Sequence, residues 1–179
     1  IKKIDTSKAL KSSGIVSILT GEEIATDKIG GLIAGWAIRS EDGTEMKVPA
    51  NPPLANDNAN FVGEPIAVVI AETLDEAKAA AELVNIDYKI LKAVTRTADT
   101  MKEEAIHEGI EKNLCYDWLL GDRDKVKEAF AKADKIIKVD LINNRLVPNA
   151  MEPRACVTDY NTASEEITLY TTSQNPHLS

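Results

Sequence analysis

Few side chains in this sequence have the type and spacing that chemistry requires. Cys115 and Cys156 stand far apart with no CxxC pair, and His107 and His177 have no partners at ligand spacing. Two Cys and two His cannot assemble an iron–sulfur cluster or a structural zinc site within one chain. The two thiols are therefore read as reduced, and the histidines as one surface and one loop residue. Gly30, Gly31 and Gly35 lack both the GxGxxG spacing and the preceding strand of a dinucleotide loop. No nucleophile-elbow motif anchors a Ser–His hydrolase. The acidic residues fall on helical faces, where solvated charge is the ordinary role.

The elements that must position any site are clearer. Thr20-Gly21-Glu22-Glu23 and Thr73-Leu74-Asp75-Glu76 both have capping-box spacing, which predicts two helix starts. Before the first lie a strand tail at Ile1 to Ile4, a short helix capped by Asp5-Thr6-Ser7 and running to Leu10, and a strand at Ile15 to Leu19. Pro65 to Ala71 is a continuous apolar run, as in a strand covered on both faces. Behind the second box Ala77, Ala80, Ala81 and Val84 share a helical face, and Ile86, Tyr88 and Ile90 alternate as a half-buried strand. Strand, helix and strand are expected to form one sheet with its helix. Asp27 to Asn60 keeps no period and reads as a long functional or interface loop.

Lys92 to Leu120 is polar, with weak helical character around Asp99 to Ala105, and reads as a linker over a surface. Asp122 then caps a helix with Val126, Ala129, Phe130 and Ala133 on one face. A strand is expected at Ile137, Val139 and Leu141. A hairpin is expected from Ala155–Tyr160 and Ile167–Thr172 around Asn161-Thr162-Ala163-Ser164.

The 179 residues suffice for one large or two small domains. The apolar fraction of 44% and charged fraction of 28% suit a soluble globular protein, and 4% aromatics leave the core to Ile, Leu, Val and Ala. The net charge of −8 argues against nucleic acid and anionic membranes as partners. No 18-residue apolar run is present, so no membrane insertion is expected. Ile1 and Ser179 both read as internal positions of a longer chain, which leaves a signal peptide open.

Two segments carry a resemblance. Phe61-Val62-Gly63-Glu64-Pro65-Ile66-Ala67-Val68-Val69-Ile70-Ala71, the Ala-rich helix, Val84-Asn85-Ile86-Asp87-Tyr88, Leu91 and Ala93-Val94 resemble the a/b hammerhead domain of the molybdenum hydroxylases. Ile4 to Leu10, Gly14-Ile15-Val16 and Leu19-Thr20-Gly21 resemble its upstream part. Gly121-Asp122, Ala129-Phe130, Ala133-Asp134, Asn144-Arg145-Leu146, Met151-Glu152-Pro153-Arg154 and Thr172-Ser173-Gln174-Asn175-Pro176-His177 resemble the opening of the molybdopterin-binding domain. The family is the large, molybdopterin-binding subunit of xanthine dehydrogenase, aldehyde oxidase and carbon monoxide dehydrogenase.

The resemblance implies an α+β chain: a hammerhead domain at 1–94, a linker at 95–120 and the start of the molybdopterin-binding domain at 121–179. It implies a molybdenum–molybdopterin cofactor, in the cytosine dinucleotide form, in the full-length parent and none on this piece. In that family the centre hydroxylates an electron-poor carbon with a glutamate as base, and electrons leave through iron–sulfur and flavin subunits or domains. Gln174 is the one cofactor-contacting residue implied here, its amide bonding an oxygen ligand near the metal, a role a neutral donor fills without titrating. The catalytic glutamate and the later pterin-contacting segments have no counterpart among these residues, so the piece alone is expected to be inactive, and no residue of it is assigned to catalysis or to metal ligation. Glu64 and Glu152, each near a proline, read as structural, Arg154 is assigned no chemistry, and Gly63 reads as a positive-φ turn. The expected location is cytoplasmic; aldehyde, N-heterocycle, purine and carbon monoxide all stay open as substrates. The alternative is a non-catalytic hammerhead-type module for assembly or scaffolding.

Overall fold

Short strands begin the chain: β1, Lys3–Asp5, ends where Asp5 accepts the Ser7 backbone N–H at 3.1 Å and its hydroxyl at 2.6 Å. That Asx turn leads into the short helix expected there, a 3₁₀ turn at Ala9–Lys11. The structure, a computed structural model, describes residues 1–144, 146–174 and 176–177, and the chain forms two compact units, Ile1–Asp122 and Arg123–Ser179.

In the first unit β2, Ile15–Thr20, runs antiparallel to β3, Ala67–Ala71, with Ile18 opposite Val69 and Leu19 opposite Val68. Helix α1, Gly21–Thr26, starts on a complete capping box. The Glu22 N–H reaches the Thr20 hydroxyl oxygen at 3.4 Å, and the Thr20 N–H reaches the Glu23 carboxylate at 2.8 Å. From 27 to 66 the only ladder contact is a bridge between Arg39 and Glu45, reinforced by their ion pair at 2.7 Å.

Helix α2, Leu74–Ala81, is capped by the Thr73 hydroxyl, which accepts the Glu76 N–H at 3.3 Å. The Glu76 carboxylate in turn accepts a hydrogen bond from the Thr73 hydroxyl at 2.8 Å. Ala80 is fully buried against Ala9 and Ile18, with Ile15, Ala67, Val69 and Val84 packed around them. A small side chain there lets the helix lie close on the β2–β3 pair. The helix stops at Ala81, which is exposed, so the expected face loses that member.

Three expectations need correction in this unit. Pro65–Ala71 is not covered on both faces: Val68 is 44% and Ile70 40% exposed, because α2 covers one side of a two-stranded sheet only. β3 and β4 do not share a sheet, since β4, Asn85–Asp87, pairs antiparallel with β1 through Ile4 and Ile86. β4 also stops at Asp87, where its ladder with β1 ends opposite Lys3, and Tyr88 and Ile90 beyond it are exposed.

The polar stretch expected to be a linker falls within the first unit, where one side chain bridges several of its turns. The Asn113 amide accepts from the Ile106 N–H at 2.7 Å and donates to the carbonyls of Thr100 and Glu104, both at 3.0 Å. It ties together 3₁₀ turns at Thr97–Lys102 and Glu111–Asn113, with Ile110 buried beneath.

The second unit contains α3, Arg123–Lys132, and a hairpin of β5, Cys156–Asn161, and β6, Glu166–Thr171. The hairpin register places Val157 opposite Tyr170 and Tyr160 opposite Ile167. Asn161 Oδ1 closes the turn by accepting the N–H groups of Ala163, at 2.9 Å, and Ser164, at 3.3 Å. The strand expected over Ile137, Val139 and Leu141 does not form; these residues are exposed and pair with no other described strand.

Candidate functional site

Gln174 follows β6 by three residues, at a bend beyond Thr172 and Ser173, and its side chain is exposed. The hairpin therefore positions it: the ladder ends at Cys156 opposite Thr171, and the chain leaves the sheet there. Asn175, the next residue of the motif, and Arg145 of Asn144-Arg145-Leu146 lie outside the described residues. Met151-Glu152-Pro153-Arg154 precedes β5 as exposed chain without regular structure.

The other residues weighed for chemistry are not drawn together. His107 is half-buried and His177 exposed; Cys115 is a half-buried free thiol and Cys156 an exposed one. Among the described residues no three His, Cys, Asp or Glu side chains come close enough to hold a metal ion. Gly31 packs against the Asn51 carbonyl, and the Leu32 N–H bonds to that oxygen at 2.9 Å, a backbone crossing and not a phosphate cradle. The Glu64 carboxylate accepts the Asn60 N–H across a turn in which Gly63 has a φ of +93°.

Among the described residues, two of the open grooves are lined by the first unit. One of about 390 Å³ lies between Gly31–Ala34 and Val48–Pro52. The other, about 530 Å³, lies between Ser40–Lys47 and Leu114–Asp117. In the second, the Thr44 hydroxyl, followed by its backbone N–H, holds the Asp42 carboxyl below its ordinary range. Neither groove includes Gln174. Against a molybdenum pterin, Gln174 fits in kind, as a neutral amide able to donate to an oxygen. It is one contact of the many such a cofactor needs.

Asn113 is the residue that sequence reasoning missed. Its bonds run 7 to 13 residues along the chain to backbone groups, and no periodicity announces them. Its left-handed φ of +54°, beside Lys112 at +55°, suits an Asn.

Comparison with known proteins adds what geometry does not. Residues 1–92 match the family described as aldehyde oxidase and xanthine dehydrogenase, a/b hammerhead domain, and residues 106–179 match the molybdopterin cofactor-binding domain. The carbon monoxide dehydrogenase large chain of Afipia carboxidovorans is 27% identical over 99% of this chain and 22% of its own length. The 6-hydroxypseudooxynicotine dehydrogenase complex subunit gamma of Paenarthrobacter nicotinovorans is 30% identical over 96% of this chain and 21% of its own. The solved structure of reconstituted carbon monoxide dehydrogenase from Oligotropha carboxidovorans superposes with a TM-score of 0.77 at 26% identity, over 99% of this chain and 22% of that one. This chain thus spans about a fifth of the length of these three relatives.

Proposed function

The chain belongs to the aldehyde oxidase and xanthine dehydrogenase family, and from that premise we propose that it is part of the large subunit of a molybdenum hydroxylase. The observation that carries the reading is the order of two matches along one chain, hammerhead at 1–92 and molybdopterin-binding domain at 106–179. A free-standing hammerhead module has no use for the second. The reading takes 1–94 as the hammerhead, 95–120 as the connection and 121–179 as the start of the cofactor domain.

In this reading a molybdenum–molybdopterin group, in its cytosine dinucleotide form, supplies the oxidation of an electron-poor carbon in the whole enzyme. Gln174 contributes an amide donor to an oxygen near the metal, and the β5–β6 hairpin fixes where that amide starts from. The 179-residue chain alone is inactive and holds no cofactor tightly, since one contact does not preorganise a site. Iron–sulfur and flavin subunits or domains are the electron acceptors, and the cytoplasm is the location. Among the described residues no helix is long and apolar enough to cross a membrane.

The test is Gln174→Ala and Gln174→Glu in the whole enzyme, with molybdenum content measured beside turnover. Loss of a group supporting a metal's ligands typically costs about 10–100-fold in activity or affinity. Gln174→Glu loses more, because a carboxylate accepts but cannot donate and is repelled by an electron-rich oxygen. If both variants keep their molybdenum and the parent rate, Gln174 has no cofactor role.

A further inference from the structure

The buried cluster around Ala9, Ile18 and Ala80 takes no member from 39–47 or from 97–117. Those two stretches are tied to each other instead. Residues 38–46 fold back on themselves as a small hairpin. The Met46 N–H donates to the Ile38 carbonyl at 3.0 Å, the Ser40 N–H donates to the Thr44 carbonyl at 2.9 Å, and Arg39 bridges Glu45. No residue of 39–47 is buried, and a lone two-stranded hairpin is marginal in water.

Residues 115–117 add the bonds the hairpin lacks. On one arm the Lys47 N–H donates to the Cys115 carbonyl at 2.9 Å; on the other the Glu41 N–H donates to the Asp117 carbonyl at 2.8 Å. The Asp117 N–H donates in turn to the Ser40 hydroxyl oxygen at 3.2 Å, across 77 residues of chain. The segment thus laces the two arms together. Its own position is set just before Cys115, where Asn113 gathers the turns at Thr97–Lys102 and Glu111–Asn113 over one buried residue, Ile110. Lys92 pairs with Glu103 and holds the near end. Each half has few bonds of its own and shares these with the other, so closing one favours closing the other.

We propose that 97–117 is a strap that opens and closes together with the 39–47 hairpin, as one unit separate from the β2–β3–α2 core. The groove of about 530 Å³ between Ser40–Lys47 and Leu114–Asp117 has one wall from each half, so it exists only in the closed state. The device lies wholly within the first unit and is independent of the family reading.

Amide hydrogen exchange on the 179-residue chain tests this, with Asn113→Ala and Ser40→Ala as perturbations at opposite ends. The Asn113 side chain bonds to Thr100, Glu104 and Ile106. Its loss is nonetheless expected to speed exchange at Glu41 and Lys47 as well as at Leu114, by at least about 10-fold for three lost bonds. Coupling is reciprocal, so Ser40→Ala, which removes one bond, is expected to speed Ile110 and Leu114 by about 2–10-fold. The β2–β3 amides keep the parent rates in both variants, which also shows that the chain has folded. Acceleration confined to the half that carries the substitution overturns the proposal, because the halves then open separately. Acceleration spreading equally to β2–β3 overturns it too, since the strap then opens only with the core. Rates unchanged throughout also overturn it, leaving the Asn113 and Ser40 bonds with no part in holding the strap.

Discussion

The Ala55 carbonyl lies directly against Gly21: a methyl group added there would meet the oxygen at 2.5 Å and the Ala55 carbonyl carbon at 2.8 Å. Both residues are buried, and the obstacle is backbone, which does not rotate away. Gly21 is thus where the irregular 51–57 segment presses on the start of α1. Gly→Ala within a helix normally gains about 1 kcal/mol. Here overpacking, at about 1–3 kcal/mol, opposes and outweighs that gain. Gly21→Ala is expected to lower the melting temperature, while Gly30→Ala, with open space around it, is expected to change it little. Equal melting of the two variants contradicts the contact.

The Ala80 contact gives a second packing test. Ala80→Leu or Ala80→Trp forces extra volume between α2 and the Ala9–Ile18 core, at a cost of about 1–3 kcal/mol. The neighbouring Ala81 is exposed, so Ala81→Leu is expected to be nearly neutral. Thermal melts of the three variants read this directly, and a parent-like melt for Ala80→Trp removes the assignment of that helix face.

These elements were legible because their determinants are local. Thr20 and Glu23 are three residues apart, Thr73 and Glu76 likewise, and alternation with Asn161 at the turn defines the β5–β6 hairpin. The misreadings share one cause, dependence on distant partners. Val68 and Ile70 look like a doubly covered strand, yet only one layer lies on that sheet. Tyr88, Ile90 and the Ile137–Leu141 run alternate correctly, and no described strand pairs with them. Gln174 was not legible from residue chemistry at all; it stands on the family resemblance.

The capping box predicts a pH dependence. The Thr20 hydroxyl, and then its backbone N–H, hold the Glu23 carboxyl below its ordinary value of 4.5. A depressed folded-state pKa stabilises above the unfolded value, and that stability is lost as pH falls through the folded one. The contribution is therefore full above about pH 4.5 and declines below it, and exposure to solvent keeps it small. Glu23→Gln is expected to flatten the acid limb of melting temperature against pH and to leave the neutral-pH slope alone. An unchanged acid limb argues against the bond.

Asn113 should behave as a clamp. A net hydrogen bond contributes about 0.5–1.5 kcal/mol, so removing its three bonds with Asn113→Ala is expected to open the Thr97–Asn113 segment locally by about 1.5–4.5 kcal/mol. Asn113→Asp keeps the acceptor for Ile106 but turns a carboxylate oxygen on the Thr100 and Glu104 carbonyls, and should open the segment at least as much as Ala. Exchange rates at Ile106, Ile110 and Leu114 report the opening. Rates identical in all three proteins would mean that the turns hold themselves.

The central claim is that this sequence is part of a molybdenum hydroxylase large subunit, and the metal itself reads it most directly. The protein carrying this sequence is captured from its source with an antibody to the chain. Molybdenum is then measured by mass spectrometry, and the pterin by fluorescence after oxidation. The account predicts stoichiometric molybdenum with a pterin cytosine dinucleotide on the same polypeptide. An intact, folded polypeptide carrying neither would contradict it and leave the hammerhead as a module without metal chemistry.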